Sequence, residues 1–139
     1  MVFNIILDTN ILVAALRSKQ GASFALLSLV GMRRFELSVS VPLVFEYEAV
    51  LGREELGIDQ AGANAVIDYL CDVAIKNPVH FLWRPFLRDA KDDMVLEAAV
   101  SGQCSHIITF NTKDFVGIEQ FGLQALWPGD FLKLIGEQP

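Results

Sequence analysis

The most restrictive feature of the sequence is a short apolar run near the amino terminus that ends in three polar residues. Residues Phe3 to Leu7 are mostly apolar, and Asp8, Thr9 and Asn10 follow them directly. Such a run is typical of a strand buried on both faces of a parallel sheet. Open sheets of this kind bind ligands at the carboxyl ends of their strands. We therefore predict that Asp8 is the first carboxylate of a metal site, with helix capping as its alternative role.

Length and composition indicate a single cytoplasmic domain. With 139 residues, 53% of them hydrophobic, the chain can build one core but hardly two, so we expect one domain over residues 1–139. No apolar run reaches the roughly 18 residues of a membrane span. The amino terminus lacks a basic leader, and Asp8 interrupts its apolar run, which argues against a signal peptide. Cys71 and Cys104 form no motif, and we expect both to be reduced.

The net charge of −6 argues mildly against a general nucleic-acid binder, because such proteins are usually basic. Carboxylates that cluster around divalent cations would weaken this objection, since the bound ions reverse the local charge. Basic residues are present, but the sequence does not show whether they converge.

Strand and helix signals alternate along the chain, which predicts an α/β fold with a parallel sheet covered on both faces. Four strands and a possible edge strand are expected. The predicted elements after the first strand are a helix at Ile11–Leu16, a helix at Ala22–Met32, a strand at Glu36–Ser40, a helix from Pro42 to Leu51, a helix capped by Asp59 and ended by Asn77-Pro78, a strand at Val79–Trp83, a helix from Asp92 to Gly102, a strand at His106–Thr109, an edge strand at Leu123–Trp127 and a helix starting at Pro128.

Four polar spots fall at strand or helix ends, where a parallel sheet can bring them to one edge. Converging carboxylates repel each other unless cations lie between them, and Mg²⁺ or Mn²⁺ suits such oxygen ligands. Such ions can activate water and stabilise the oxygens of a phosphodiester. The four spots are Asp8 with Thr9 and Asn10; Glu46; Asp89, Asp92 and Asp93; and the loop that contains Thr109, Asn111, Lys113 and Asp114.

Each spot also has a purely structural interpretation. Glu46 and Glu48 can both be solvated helix charges, and apolar neighbours flank both. Asp92 and Asp93 can serve as a cap and as charges that complement the helix dipole. Asn and Asp are also common in turns, which would account for Asn111 and Asp114. His80 and His106 lack a partner motif and are expected to be packed or surface residues.

The order of these spots resembles that of the PIN-domain ribonucleases, specifically the small prokaryotic VapC-like proteins assigned as toxins of toxin–antitoxin pairs. The resemblance covers nearly the whole chain. It rests on four stretches, "LDTNIL", "SVSVPLVFEYEAVL", "DAKDDMVLEAA" and "HIITFNTKDF". The family acids fall on Asp8, on Glu46 rather than Glu48, and best on Asp92, with Asp93 as the near alternative. Many family members have an aspartate where this chain has Asn111.

The resemblance implies a three-layer α/β/α sandwich and a Mg²⁺- or Mn²⁺-dependent ribonuclease. It also implies a small antitoxin protein as partner and a homodimer. An amide oxygen can still bind a hard cation, without adding charge, and Asp114 could supply the missing charge directly or through water. The expected catalytic residues are Asp8, Glu46, Asp92 and Asn111; the expected metal ligands are Asp8, Asp92, Glu46, Asp93 and Asp114; and the expected supporting residues are Thr9, Asn10, Asp89, Thr109 and Lys113.

Two other classes compete with this interpretation. A PIN-like domain that has lost activity could bind RNA or a protein partner, which Asn111 and the acidic net charge both permit. A phosphoaspartate phosphatase is disfavoured because Asn10 stands where its second acid is needed. A receiver domain is disfavoured because it needs paired acids at the end of the first strand.

Overall fold

The apolar run at the amino terminus forms the central strand of a five-stranded sheet. The structure is a computed structural model that describes residues 2–79 and 86–137. Strand β1 (Asn4–Leu7) pairs with β2 (Glu36–Val39) on one side and β4 (His106–Ile108) on the other. The short strands β3 (Ile75–Lys76) and β5 (Gln124–Leu126) complete the order β3-β2-β1-β4-β5, and every pairing is parallel. Ile5, Ile6 and Leu7 are fully buried.

Helices connect and cover the strands of this sheet. Within the described residues they are α1 (Thr9–Arg17), α2 (Ala22–Ser28), α3 (Val41–Leu51), α4 (Gln60–Val73), α5 (Ala90–Ser101) and α6 (Pro128–Leu134). Helix α5 packs against β1, β2 and β4 at the middle of the sheet. The predicted three-layer α/β/α fold with a parallel sheet is confirmed.

Side-chain caps explain where several helices begin, because each satisfies an otherwise unpaired backbone N–H. The Ser40 hydroxyl accepts a hydrogen bond from the Leu43 N–H, and Asp59 accepts one from the Gly62 N–H. Ser40 is therefore a cap and not the last strand residue that the sequence predicted. Proline in the first turn suits α3, since it has no N–H to leave unpaired.

Two predicted boundaries around α4 and α5 need correction. Helix α4 ends at Val73, before Ile75 and Lys76 pair with β2 as the edge strand. Helix α5 begins at Ala90, because Asp89 and not Asp92 is its N-cap. The predicted strand at Val79–Trp83 lies outside the described residues except for Val79, which is not in a strand.

Smaller differences concern the first two helices. Helix α1 starts at Thr9, two residues earlier than predicted, because Asp8 itself caps it. Helix α2 ends at Ser28 rather than at Met32. Neither difference changes the order of the elements. No helix in the described ranges has both the length and the apolar character needed to cross a membrane.

The sheet ladder continues past the ends of β1 and β4. The Asp8 N–H donates to the Ile108 carbonyl at 2.9 Å, and the Thr109 N–H donates to the Leu126 carbonyl at 2.9 Å. These two bonds align the polar residues that follow the central strands, so Asp8 and Thr109 lie side by side at the carboxyl edge.

Candidate functional site

Asp8 is fixed through both of its carboxylate oxygens. Oδ1 accepts a hydrogen bond from the Thr9 N–H at 2.8 Å, and Oδ2 accepts one from the Thr109 hydroxyl at 2.7 Å. The Asn111 N–H in turn donates to the Thr109 oxygen at 3.0 Å. Burial raises the pKa of Asp8 more than these hydrogen bonds lower it. Asp8 therefore caps α1 and also presents a costly buried charge at the carboxyl edge.

A cavity of about 360 Å³ opens at this edge, and we call it the acidic cavity. It brings together Asp8 at the end of β1 with residues from α1, from α3 and the segment after it, from the start of α5 and from the loop after β4. Its predicted site residues are Asp8, Thr9, Asn10, Glu46, Asp89, Asp92 and Asn111, and its further lining residues are Val13, Val50, Arg53, Leu56 and Lys91.

Among the described acids of this cavity, the Asp92 carboxyl has the pKa that is raised most. Burial, and then the charges of Asp8, Asp89, Asp114 and Asp93, raise the pKa of its carboxyl from 3.8 to about 6. Each of these carboxylates disfavours the ionisation of Asp92 because negative charges repel each other at short range. The structure thus holds several acids close enough to raise the pKa of Asp8 and of Asp92.

Glu46 has a cationic neighbour. The Lys91 Nζ lies 3.8 Å from Glu46 Oε1, and both side chains line the acidic cavity. Glu48, on the same helix, is exposed. The buried Tyr47 between them donates its hydroxyl to the Leu7 carbonyl at 2.5 Å, which ties α3 to the end of β1.

Lys91, Arg53 and Tyr47 were not among the predicted site residues. Lys91 is next to Asp92 in the sequence, but adjacency on a helix does not show which side chain faces the cavity, because neighbouring residues point about 100° apart. Arg53 follows the glycine that ends α3, and its sequence context carries no signal either. Tyr47 looks like a core aromatic in the sequence, and only its contact with Leu7 reveals its place beside the site.

Four predicted site residues do not line the acidic cavity. Thr109 is fully buried and is linked to the cavity through its hydrogen bond to Asp8. Asp93 is buried, and its Oδ1 accepts hydrogen bonds from the backbone N–H groups of Phe86 and Leu87 at 3.3 and 2.8 Å. The structure thus places it as an anchor for the segment before α5. Lys113 and Asp114 line a neighbouring cavity. Asp114 still raises the pKa of both Asp8 and Asp92 through its charge.

His106 does not line the acidic cavity. His106 is buried in β4, where its ring packs against Phe3 and Phe131, and burial lowers its pKa. His80 lies outside the described residues. Cys71 and Cys104 are both free cysteines.

The donor atoms of the acidic cavity fit a hard divalent cation. They are carboxylate and amide oxygens, and the buried Oδ1 of Asn10 has no hydrogen-bond partner in the described part of the chain. Among the described residues, no group of three His, Cys, Asp or Glu side chains is arranged to hold a metal by itself. Mg²⁺ commonly binds to one or two carboxylates and completes its shell with water and substrate phosphate. The cavity therefore fits an open site rather than a closed protein cage.

Comparisons with known proteins agree with this fold. A family model described as "PIN domain" matches residues 4–113 of the chain. The fold also matches a chain in the crystal structure of VapBC2 from Rickettsia felis bound to a DNA fragment from their promoter. That match has a TM-score of 0.61 and 14% sequence identity, and it covers 88% of this chain and 96% of that chain. No curated protein sequence matches at a significant level.

The parallel α/β/α sandwich and the acids at the carboxyl edge of its sheet agree with this family match. The family match spans most of the chain, including all four polar spots except Asp114. This protein belongs to the PIN-domain family. PIN domains are generally nucleases, and they generally use divalent metal ions.

Proposed function

We propose that this protein is a Mg²⁺- or Mn²⁺-dependent endoribonuclease. The observation that carries the proposal is the acidic cavity, where Asp8, Asp92, Glu46 and Asn111 come from four separate elements to one place. The raised pKa of Asp92 supports it, because a structure that crowds ionisable acids gains from a bound cation.

Asp8, Asp92 and Glu46 would hold the metal with charged oxygens, and Asn111 would add a neutral one. A divalent ion held by these residues would supply a lowered pKa of bound water and positive charge for the oxygens of a phosphodiester. With only two or three charged ligands, substrate phosphate would complete the coordination. Asp114 is close enough to influence the charge of the site and is the candidate for contact through water.

The residues around Asp8 would set the geometry of the site. The Thr9 N–H and the Thr109 hydroxyl hold its two oxygens, and the Asn111 N–H holds Thr109. This chain of hydrogen bonds connects the first and the last polar spot of the sequence. Partners of this kind orient a metal ligand, and here they also lower the pKa of Asp8, which favours the ionised carboxylate that a cation needs. Asp89 contributes as the cap that starts α5 and so positions Asp92.

Lys91 and Arg53 would favour a polyanionic substrate at the acidic cavity. Both line it, and Lys91 lies beside Glu46. A phosphodiester that approaches a group of carboxylates needs positive charge at its other oxygens, and Lys and Arg supply it as phosphate-binding groups. The acidic net charge of the chain therefore does not exclude a nucleic-acid substrate.

We further propose that the protein is the toxin of a type II toxin–antitoxin pair, with a small antitoxin protein as its partner. The support is the fold match with a VapBC2 chain, which covers nearly the whole of both chains. A homodimer in the cytoplasm is part of the same proposal. Co-expression with the product of an adjacent short gene, followed by size-exclusion chromatography with light scattering, tests the partner and the dimer together.

Cleavage of RNA tests the catalytic proposal. The wild-type protein should cut single-stranded RNA in Mn²⁺ or Mg²⁺, and Asp8→Asn should lose at least about a hundredfold in rate, because even outer-shell partners of a metal are worth about 10–100-fold. Glu48→Gln is the matched control, since Glu48 is an exposed acid on α3. Circular dichroism should show that both variants remain folded.

The alternative is a PIN domain without catalytic activity that binds RNA or a protein. Asn111 and the lack of a closed group of three acids in the described ranges favour this second candidate. Equal cleavage by wild type and Asp8→Asn, or no cleavage of a broad RNA panel by either, would overturn the nuclease proposal. RNA binding without cleavage would then identify a binding module.

A further inference from the structure

A second cavity, of about 530 Å³, lies beside the acidic cavity, and we call it the side cavity. Two loops contribute to both cavities. In the segment before α5, Arg88 lines the side cavity and Asp89 the acidic one. In the loop after β4, Asn111 lines the acidic cavity and Lys113 the side cavity. The two cavities therefore share the walls that these loops form. The lining of the side cavity is Phe86, Leu87, Arg88, Lys113, Asp114 and Val116.

The side cavity combines positive charge with exposed apolar surface. Arg88 and Lys113 are exposed, and neither forms an ion pair with a carboxylate among residues 2–79 and 86–137. Val116 is 73% exposed, Phe86 is 36% exposed, and the buried Leu87 lies between Phe86 and Arg88 in sequence. Unpaired cations next to an accessible aromatic ring are the two elements that single-stranded nucleic-acid sites use.

Several contacts fix the shape of this cavity before any ligand arrives. The buried Asp93 carboxylate accepts the N–H groups of Phe86 and Leu87. The Phe86 ring packs edge-to-face on Phe121, with the ring centroids 5.3 Å apart. Gly117 has a φ of +88°, and a Cβ there would lie 3.4 Å from the Phe86 ring. The Phe86 ring is thus held at the cavity wall and does not need to be ordered by the ligand.

A short 3₁₀ turn, Thr112–Asp114, supplies two further lining residues of the side cavity. The Asp114 N–H donates to the Asn111 carbonyl at 2.9 Å, and the buried Phe115 anchors the end of the turn. This turn carries Lys113 and Asp114 directly after Asn111. Any displacement of the turn would therefore also move a residue of the acidic cavity.

We propose that the side cavity is a nucleotide subsite, which holds the residue of a single-stranded RNA next to the phosphodiester in the acidic cavity. Arg88 and Lys113 bind backbone phosphate, and Phe86 contacts the base. The cavity volume falls within the about 300–1,000 Å³ that is common for ligand sites. This inference rests on the proposed function, because it assumes that the acidic cavity receives RNA.

Asp114 limits what the side cavity can accept. Among the described lining residues, its carboxylate leaves one net positive charge from three charged side chains, so a free phosphate is a poor ligand. A base or ribose brings N–H or O–H donors that a carboxylate can accept. A nucleotide, with its phosphate toward Arg88 and Lys113 and its donors toward Asp114, therefore matches the cavity better than an inorganic anion does.

RNA binding by a protein that does not cut tests the subsite. Fluorescence anisotropy would follow a labelled single-stranded RNA of mixed sequence and about 12 nucleotides, within the range of single-strand site sizes, on the Asp8→Asn background. Adding Arg88→Ala and Lys113→Ala together should raise the Kd about tenfold or more and lower the salt dependence of log Kd by about 1 to 2. Lys133→Ala is the control, because this exposed lysine in α6 lies outside both cavities.

Phe86→Leu separates the base contact from the phosphate contacts. It keeps an apolar side chain against Phe121 but removes the ring, so the Kd should rise about fivefold to tenfold with the salt dependence unchanged. A single-stranded DNA of the same sequence provides the second probe. If the basic pair and Phe86→Leu bind the RNA as the Lys133→Ala control does, or if the pair changes only the binding of DNA, the subsite is wrong.

These experiments distinguish failure of the nucleotide subsite from failure of the nuclease proposal. If the wild type cuts RNA and the Arg88/Lys113 pair cuts it with unchanged kcat/KM and Kd, the subsite fails while the nuclease stands. If the wild type cuts no RNA but the pair loses RNA binding, the subsite stands and the nuclease fails. If the wild type, Asp8→Asn and Lys133→Ala all fail to bind single-stranded RNA, the subsite is overturned.

Discussion

The two ends of the sheet treat their polar side chains in opposite ways. At the amino end, Asn4, Ser38, Gly102 and Cys104 form what we call the amino-end network. The Ser38 hydroxyl donates to Asn4 Oδ1 at 2.7 Å, the Cys104 thiol donates to the same oxygen at 3.6 Å, and Asn4 Nδ2 donates to the Gly102 carbonyl at 3.0 Å. All of these groups are neutral, since burial raises the pKa of the Cys104 thiol to about 11.

At the carboxyl end, the polar groups are acids that destabilise each other. Asp8 is held by hydrogen bonds and yet has a raised pKa, and the pKa of Asp92 is raised further by the charge of Asp8. The polar groups of the amino-end network form hydrogen bonds with each other. In the acidic cavity, the charges of the acids raise the pKa of Asp8 and Asp92, and Asn10 Oδ1 has no hydrogen-bond partner among the described residues. This difference indicates that the ligand site lies at the carboxyl end of the sheet, because unsatisfied polar groups gain more from a bound ligand than satisfied ones do.

Breaking the amino-end network should produce the largest loss of stability. Asn4→Ala removes the acceptor of the Ser38 hydroxyl and the donor to the half-buried Gly102 carbonyl, while Asn77 Nδ2 still donates to Ser38 at 3.4 Å. Because unsatisfied buried groups cost about 1–3 kcal/mol each, we expect the free energy of unfolding to fall by about 2–4 kcal/mol in urea denaturation. Mn²⁺ affinity at the other end should not change. A loss of metal affinity in a variant that is still folded would show that the two ends are not independent.

Removing the Thr109 hydroxyl should instead affect binding more than stability. Thr109→Val keeps the shape of the side chain but frees Asp8 Oδ2, so Mn²⁺ affinity measured by calorimetry should fall about 10–100-fold. The pKa of Asp8 should rise further, because the bond from Thr109 lowers it. Thr112→Val, on the turn after Asn111, is the control. Equal losses in the two variants would mean that Thr109 has no specific role in orienting Asp8.

The smallest of these effects should be the gain in stability that Asp92→Asn produces near neutral pH. The pKa of Asp92 is about 6 in the folded protein and 3.8 ordinarily, so the folded state binds its proton more tightly than the unfolded state does. This carboxyl therefore costs stability above pH 6, and the cost disappears as the pH falls towards 4. Asp92→Asn in the presence of a chelator should be more stable at pH 7 by about 1 kcal/mol, a value reduced for the screening of a partly exposed group.

The same variant should respond to metal in the opposite direction. Divalent metal should raise the Tm of the wild type at pH 7, because it binds the folded state. Asp92→Asn should lose most of that rise, while Glu48→Gln should keep it. Two results would contradict the proposed metal site in the acidic cavity. One is that Asp92→Asn is no more stable than the wild type in chelator. The other is that Asp92→Asn and Glu48→Gln lose the metal-dependent rise in Tm equally.

The sequence was sufficient for the fold class and the parallel sheet, but not for the position of β3, which lies at Ile75–Lys76 inside a predicted helix. Buried runs such as Ile5–Leu7 and Ile107–Ile108 can be recognised from their composition alone, and alternation with helical segments leaves a parallel sheet as the economical solution. The sequence did not identify the N-cap of α5. Asp89, Asp92 and Asp93 all fit the start of α5 by residue type, and the structure chooses Asp89 through its bond with the Lys91 N–H.

The sequence also placed the four polar spots at the ends of elements, but the tertiary structure alone decided which members of each spot share a cavity. Residues one apart on a helix point about 100° away from each other. Asp92 therefore lines the acidic cavity, while Asp93 turns inward to hold Phe86 and Leu87. A pattern of residue types contains no information on that rotation, which is set by the packing of α5 on the sheet. The meeting of Lys91 with Glu46, from helices far apart in sequence, was decided in the same way.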